Sequence, residues 1–290
     1  MEIKTDVQTP IKIGSVMHPW TKLFAVYAQM TLHEGHIEST LVHFRTEAEM
    51  YQALQMGDID AVPMTLKDLP TTLPKGIAIS GLTEREVPKM CLIFLTTPPQ
   101  SGELRGGNEE STEGLSALKT DARIVAATEL QRAQMQSLLP EAVVEVRVGT
   151  PLEAIKLLRK GEFDAILTTM LTVKAISLNT EEWAVAPFSP REFVPEAGQG
   201  VACLLVNEDD LATRRRFKKW HHRDVAELTN VERTLKKMFH DRDIAAHCER
   251  DRASNFHLSA AALVGGELRK TRVSQSTTFG LAERAFEELS

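Results

Sequence analysis

The chain has 290 residues, of which 42% are hydrophobic and 26% charged, and its formal net charge is −6. This length allows one large core or several smaller ones, because domains cluster around ~100–150 residues. The negative charge gives no overall attraction for nucleic acid, and no run of ~18 apolar residues suggests a membrane span. The N-terminal ten residues lack the apolar run of a signal peptide. We therefore expect a cytoplasmic globular protein, without a nucleic-acid or membrane partner.

The first part of the chain alternates strand and helix patterns. In order, the spacing of apolar residues predicts a strand, a helix, a strand, a helix and a strand, at 12–14, 20–33, 37–44, 46–57 and 59–64. Thr46 and Glu49 form a capping box, and Gly57 ends that helix. The last strand runs into a turn at 65–70 that contains Lys67 and Asp68. Such alternation predicts a mostly parallel sheet, whose strand ends carry the chemistry in open α/β folds.

The pattern then recurs at a spacing of 104 residues. Seven residues of the first helix–strand segment are matched in the second: Thr46, Glu49, Leu54, Gly57, Asp60, Ala61 and Thr65 by Thr150, Glu153, Leu158, Gly161, Asp164, Ala165 and Thr169. Residues 122–126 and 143–147 repeat the two preceding strands. We infer two α/β domains of one type, related by duplication.

The remaining segments predict domain boundaries. Residues 97–112 are rich in glycine, proline and polar side chains, as in a linker or mobile loop. Residues 194–200 lead into a strand at 201–206 and are expected to cross between domains. From Leu211 we expect a long basic helix, a polar stretch, a strand at 258–264 and a helix at 279–289. The predicted domains are 1–100 with 198–210, 112–195, and a smaller α/β domain at 211–290.

Three motifs together resemble porphobilinogen deaminase, also called hydroxymethylbilane synthase. They are TLKDLP at 65–70 with EREVP at 84–88, GEFDAI at 161–166, and PEAGQG at 195–200. Their order and spacing agree with that family across nearly the whole chain. The resemblance implies two domains of the periplasmic-binding-protein type II kind around a cleft, plus a small third domain. It also implies a covalently attached dipyrromethane and the head-to-tail joining of four porphobilinogen molecules, with release of ammonia, in haem biosynthesis.

The resemblance implies roles for individual residues. Asp68 matches the catalytic acid, which would protonate the leaving amine and stabilise the azafulvene cation. From the residues alone, Asp68 also fits a turn residue that caps the backbone ahead of Pro70. The implied substrate-binding residues are Lys67, Thr65, Thr128, Arg132 and Gln199.

The chain departs from the family at positions where arginines would bind the substrate's carboxylates. Val16 and Ala175 occupy two such positions, and Gln131 replaces the first arginine of the motif that retains Arg132. Both arginines of a further motif are absent from 148–155, unless Arg147 substitutes from one position away. The family's glycine-rich lid is reduced to residues 45–46.

The cofactor cysteine of the family is also missing. Its position is occupied by His240 or Asp243, depending on where the gap is placed, and Cys248 lies a few residues later. The two other cysteines, Cys91 and Cys203, sit in strand-like runs and are expected in the core. The cations beside Cys248, at His247 and Arg250, are of the kind that makes a thiol nucleophilic. An ordinary, partly buried cysteine in a strand is the favoured interpretation. We therefore expect no dipyrromethane. The spacing of the histidines and cysteines predicts neither a metal site nor a disulfide framework.

Two functions remain open, and a third is disfavoured. The first is a divergent hydroxymethylbilane synthase that polymerises porphobilinogen. The second is a non-catalytic or repurposed paralogue, a monomer that binds a small anionic or pyrrole-type molecule between its two domains. Nucleic-acid binding by the basic run at 214–223 ranks last, because the run is also typical of the solvated face of a helix.

Overall fold

The computed structural model describes residues 10–16, 25, 28–30, 32–33, 36–95, 115, 118–176, 182–242 and 244–290. The linker at 97–112 and most of the helix predicted at 20–33 lie outside these residues. The strands are β1 Ile11–Val16, β2 Ser39–Phe44, β3 Val62–Thr65, β4 Ile77–Leu82, β5 Met90–Leu95, β6 Arg123–Ala126, β7 Val143–Val146, β8 Ala165–Thr169, β9 Trp183–Pro187, β10 Ala202–Asn207, β11 Ile244–Arg250, β12 Phe256–Val264 and β13 Glu267–Gln275. The helices are α1 Glu47–Met56, α2 Glu129–Leu138, α3 Pro151–Arg159, α4 Met170–Ile176, α5 Leu211–Phe217, α6 Arg223–Met238 and α7 Leu281–Leu289.

The chain divides into two compact units. Unit 1 comprises Met1–Arg85 and Val201–Glu227, and unit 2 comprises Glu86–Gly200 and Leu228–Ser290. The three-domain division drawn from the sequence stays a prediction; in the structure, the C-terminal sheet belongs to the same unit as the second repeat.

Unit 1 contains a parallel pair, β1 and β2, and an antiparallel sheet in the order β3-β10-β4. A parallel bridge between Ile13 and Ala61 joins the pair to the start of β3. The strand sequence across the unit is thus β2-β1-β3-β10-β4. Helix α1 packs Met50 and Leu54 into the same core as the β3 residue Val62.

Unit 2 contains a five-stranded sheet in the order β7-β6-β8-β5-β9. The β6 pairs are parallel and the β5 pairs are antiparallel, so each strand corresponds in place and direction to one of unit 1. The unit also holds an antiparallel sheet, β11-β12-β13, against which α7 packs Leu281, Ala285 and Leu289. Leu130 of α2 packs with Ala245 and Ala261 of this second sheet.

The duplication is confirmed in atomic detail. Asp60 accepts a hydrogen bond from the backbone N–H of Lys12 at 2.7 Å, and Asp164 accepts one from Arg123 at 2.8 Å. In each copy the helix that precedes the aspartate has a threonine as its N-cap: Thr46 for α1 and Thr150 for α3. The two copies therefore conserve the contacts that join helix, strand and turn.

Two expectations about secondary structure are wrong. The sheets are mixed rather than mostly parallel, because β5 and β10 insert antiparallel to their neighbours. The long basic helix is broken: α5 ends in a 3-10 turn at Lys218–Trp220, which places the Trp220 ring centroid 5.2 Å from that of the buried Phe217. The C-terminal sheet contains two strands, β11 and β13, besides the strand predicted at 258–264.

No helix in the described part of the chain is long and apolar enough to cross a membrane.

The close approach of Gly200 to the backbone of Glu86 predicts a test of the fold. Gly200 adopts φ 79°, and a Cβ there would lie 2.9 Å from the carbonyl oxygen of Glu86; Gly161 has φ 70° but open space around it. Gly161→Ala is expected to cost only the ~1–2 kcal/mol of a left-handed alanine, and Gly200→Ala more, because the loop must shift. Urea unfolding measures the free energy of unfolding of both variants. Equal losses would contradict the close approach of Gly200 to Glu86.

Candidate functional site

The turn after β3 is anchored by two buried leucines and presents two charged side chains. The backbone N–H of Leu66 donates to the carbonyl oxygen of Val201 at 2.8 Å, and the Leu69 N–H donates to Leu66 at 3.3 Å. Leu66 and Leu69 are both 1% exposed. Their burial fixes a 3-10 turn at Leu66–Asp68, so the intervening side chains of Lys67 and Asp68 project outward.

Both oxygens of the Asp68 carboxylate contact neighbouring side chains. Lys67 Nζ lies 2.7 Å from Oδ1, and the Thr65 hydroxyl donates to Oδ2. The Asp68 side chain is 50% exposed, so an ion pair here adds little stability. The contacts instead orient a carboxylate that a ligand can reach. The structure thus brings together three of the site residues predicted from the sequence.

The second copy of this turn lacks the acid. Met170 N–H donates to the Lys89 carbonyl at 3.0 Å, as Leu66 does to Val201. The position equivalent to Asp68 is Thr172, whose hydroxyl lies 3.0 Å from that of Thr169. The backbone frame is therefore duplicated, whereas the carboxylate belongs to unit 1 alone.

In unit 2, Thr128 and Arg132 lie at the start of α2 and are both engaged within the protein. The Thr128 hydroxyl accepts from the Gln131 N–H at 3.1 Å as the helix N-cap. The Arg132 Nε lies 2.6 Å from Glu129 Oε2. Gln131, at the position of a family arginine, accepts from the Ala127 N–H at 3.0 Å and is buried. The start of α2 therefore presents fewer unpaired cationic groups than it would with both of the family's arginines.

Gln199 points into the protein. It is 3% exposed, and its Nε2 donates to the carbonyl oxygen of Pro88 at 2.5 Å and contacts Met90 Sδ at 3.4 Å. Its Oε1 is buried without a hydrogen-bond partner among the described residues. A role for Gln199 in substrate binding stays a prediction, and in this conformation it organises the crossing loop.

The other positions of lost arginines are likewise without cations. Val16 is buried in the unit 1 core, and Val148 is an exposed aliphatic side chain. Arg147, the candidate substitute, pairs with Glu145 at 3.2 Å and covers the Phe163 ring at 5.3 Å.

The loop 195–200 depends on a buried carboxylate that sequence reasoning missed. Glu232 of α6 is 0% exposed and accepts from the backbone N–H groups of Gly198 and Cys248, both at 2.8 Å. It thus ties the crossing loop to the edge strand β11. Only its place within an otherwise amphipathic helical pattern could have signalled burial.

The comparisons with known proteins agree on one family. A family model described as porphobilinogen deaminase, dipyromethane cofactor binding domain, matches residues 43–215. The chain belongs to the porphobilinogen deaminase family. Porphobilinogen deaminase of Chromobacterium violaceum is 31% identical over 189 residues, covering 65% of this chain and 56% of that protein. That of Sulfurimonas denitrificans is 27% identical over 198 residues, covering 67% and 55%. The chain spans about half the length of these relatives.

The solved structures that match the chain are less similar to it in sequence than these relatives are. The Bordetella pertussis BvgS periplasmic VFT2 domain matches with a TM-score of 0.44 and 13% identity, over 72% of this chain and 86% of that one. An amino acid ABC transporter substrate-binding protein from Streptococcus pneumoniae, bound to L-arginine, matches with a TM-score of 0.41 and 14% identity, over 73% and 86%. Both TM-scores are below 0.5.

The cofactor that gives the family domain its name does not fit the cysteines of this chain. Cys91, Cys203 and Cys248 are 0%, 2% and 1% exposed. His240 lies in an exposed turn, and Asp243 lies outside the described residues. His247 and His257 contact different carboxylates, Glu232 and Asp251, and the described residues contain no group of three or more metal-binding side chains.

The buried position of Glu232 predicts a stability test. Glu232→Ala leaves two backbone N–H groups unpaired, at about 1–3 kcal/mol each, and is expected to lower the free energy of unfolding accordingly. Glu227→Ala, an exposed change on the same helix, is the matched control. Denaturant unfolding curves for both variants check this. Indistinguishable midpoints would show that Glu232 does not support the loop.

Proposed function

We propose that this protein is a hydroxymethylbilane synthase-like protein of tetrapyrrole biosynthesis that binds porphobilinogen at the turn 65–68 and releases its amine as ammonia. The observation that carries the proposal is the Asp68 carboxylate, exposed at the carboxyl end of β3 and oriented by Thr65 and Lys67. The family membership supplies the substrate class.

The proposed reaction requires mainly a negative charge at a defined position on this turn. The protonated amino group of porphobilinogen leaves as ammonia when the pyrrole ring donates electrons to the methylene carbon and the C–N bond breaks. The methylene stays on the ring, and the product is an azafulvene cation. A carboxylate beside that cation stabilises charge that develops only as the C–N bond breaks. The carbon of a second pyrrole then attacks the methylene, a C–C bond forms, and the ring loses a proton. Lys67 is placed to pair with a substrate carboxylate at the same turn.

A second candidate function, binding without turnover, is favoured by one specific contact. Arg132, the retained member of the family's arginine pair, is engaged by Glu129 at 2.6 Å. An acidic chain of several rings needs more cationic groups than this, whereas a single small ligand does not. In this reading Asp68 and Lys67 recognise the ligand but no bond breaks.

Replacing the carboxylate separates the two functions. Asp68→Asn is expected to lower the rate of ammonia release from porphobilinogen by about 10²–10³-fold, the usual effect of removing one charge-stabilising group. Asp58→Asn, an exposed change on the preceding turn, should leave the rate unaltered. An enzyme-coupled ammonia assay measures both. Undiminished release by Asp68→Asn would refute the proposed role, and the absence of release from the unaltered protein would favour binding alone.

The Glu129 contact predicts a gain of affinity. Glu129→Gln frees the Arg132 guanidinium, and because exposed ion pairs are worth about 0.2–1 kcal/mol, porphobilinogen should bind up to about fivefold more tightly. Glu141→Gln removes an exposed carboxylate at the other end of α2 and serves as the control for net charge. Calorimetric titration measures the dissociation constants. Equal affinities in the two variants would exclude Arg132 from the binding site.

A further inference from the structure

We infer that this protein carries no thioether-linked dipyrromethane, because none of its three cysteines can reach an azafulvene. This inference does not depend on the proposed function. A thioether forms when a thiolate attacks the methylene carbon of an azafulvene, after ammonia has left and the thiol has lost its proton. The reaction therefore needs a thiol that is both accessible and ionisable.

Two cysteines lie on the central strands of their sheets. Cys91 is on β5, between β8 and β9, where burial raises its pKa to about 12. At neutral pH it is a protonated thiol without access to solvent. Cys203 is on β10, between β3 and β4, and its Sγ lies 3.4 Å from the Met64 carbonyl oxygen. Neither can meet a ligand unless a sheet opens.

Cys248 follows the family's cofactor position but is equally enclosed. It lies on β11, opposite Leu258 of β12, in the core that contains Leu235 and Leu289. Its backbone N–H is bound by the buried Glu232. Exposing the thiol would break this hydrogen bond and the strand pairing together, so Cys248 cannot substitute for the missing cysteine.

The turn at the cofactor position offers no substitute nucleophile of the same kind. His240 and Asp241 are exposed and adopt left-handed conformations, with φ 54° and 62°. Their imidazole and carboxylate groups form no thioether. The sequence therefore contains no thiol for covalent attachment at this turn.

The test is the mass of the intact, denatured protein purified from a host that makes haem. The expected mass is that of the unmodified chain. An addition equal to two porphobilinogen units less two ammonia molecules would overturn the inference, while leaving the proposed deamination standing. A thiol reagent should modify no cysteine in the native protein and three after denaturation. His240→Cys, which places a thiol in the exposed turn, should add one reactive group under native conditions.

Discussion

The structure depends on an exchange of strands between its two repeats. Strand β5 follows the first repeat in the chain but is a central strand of the second unit's sheet, and β10 follows the second repeat but is central to the first unit's sheet. Each inserts antiparallel between two strands of the receiving unit. The residue just before each inserted strand also accepts a backbone hydrogen bond from a turn. The Val201 carbonyl accepts from Leu66 N–H, in the turn after β3, and the Lys89 carbonyl accepts from Met170 N–H, after β8. Each turn therefore includes a backbone hydrogen bond to the segment that arrives from the other repeat.

The two repeats share a backbone frame, whereas the carboxylate is found in only one of the two turns. Asp60 and Asp164 make the same backbone contact in the two copies, because that contact joins the first and third strands and stabilises either unit. Asp68 and Thr172 occupy equivalent places but differ in charge. A carboxylate is useful where a cation develops and costs little where it is half exposed, so one copy can hold it without any demand on the other.

Much of the frame could be predicted from the sequence, because short-range signals determine it. Thr46 and Thr150 mark helix starts, and Gly57 marks a helix end through its left-handed backbone. The exposed turn with Asp68 followed from its motif. What could not be predicted depends on long-range contacts. The antiparallel insertion of β5 and β10, the burial of Glu232 and the pairing of Arg132 with Glu129 are set by residues distant in sequence or by side-chain orientation. Gln131, at a position where the family motif has an arginine, proved to be a helix-capping side chain.

We propose that the Asp68 turn acts on a pyrrole that is never anchored to the protein. Incubation of the unmodified protein with porphobilinogen, followed by denaturation and ultrafiltration, is the most direct test. Ammonia should accumulate, and all pyrrole product should pass into the filtrate. Pyrrole retained on the denatured chain, or filtrate containing only unreacted porphobilinogen without ammonia, would contradict it.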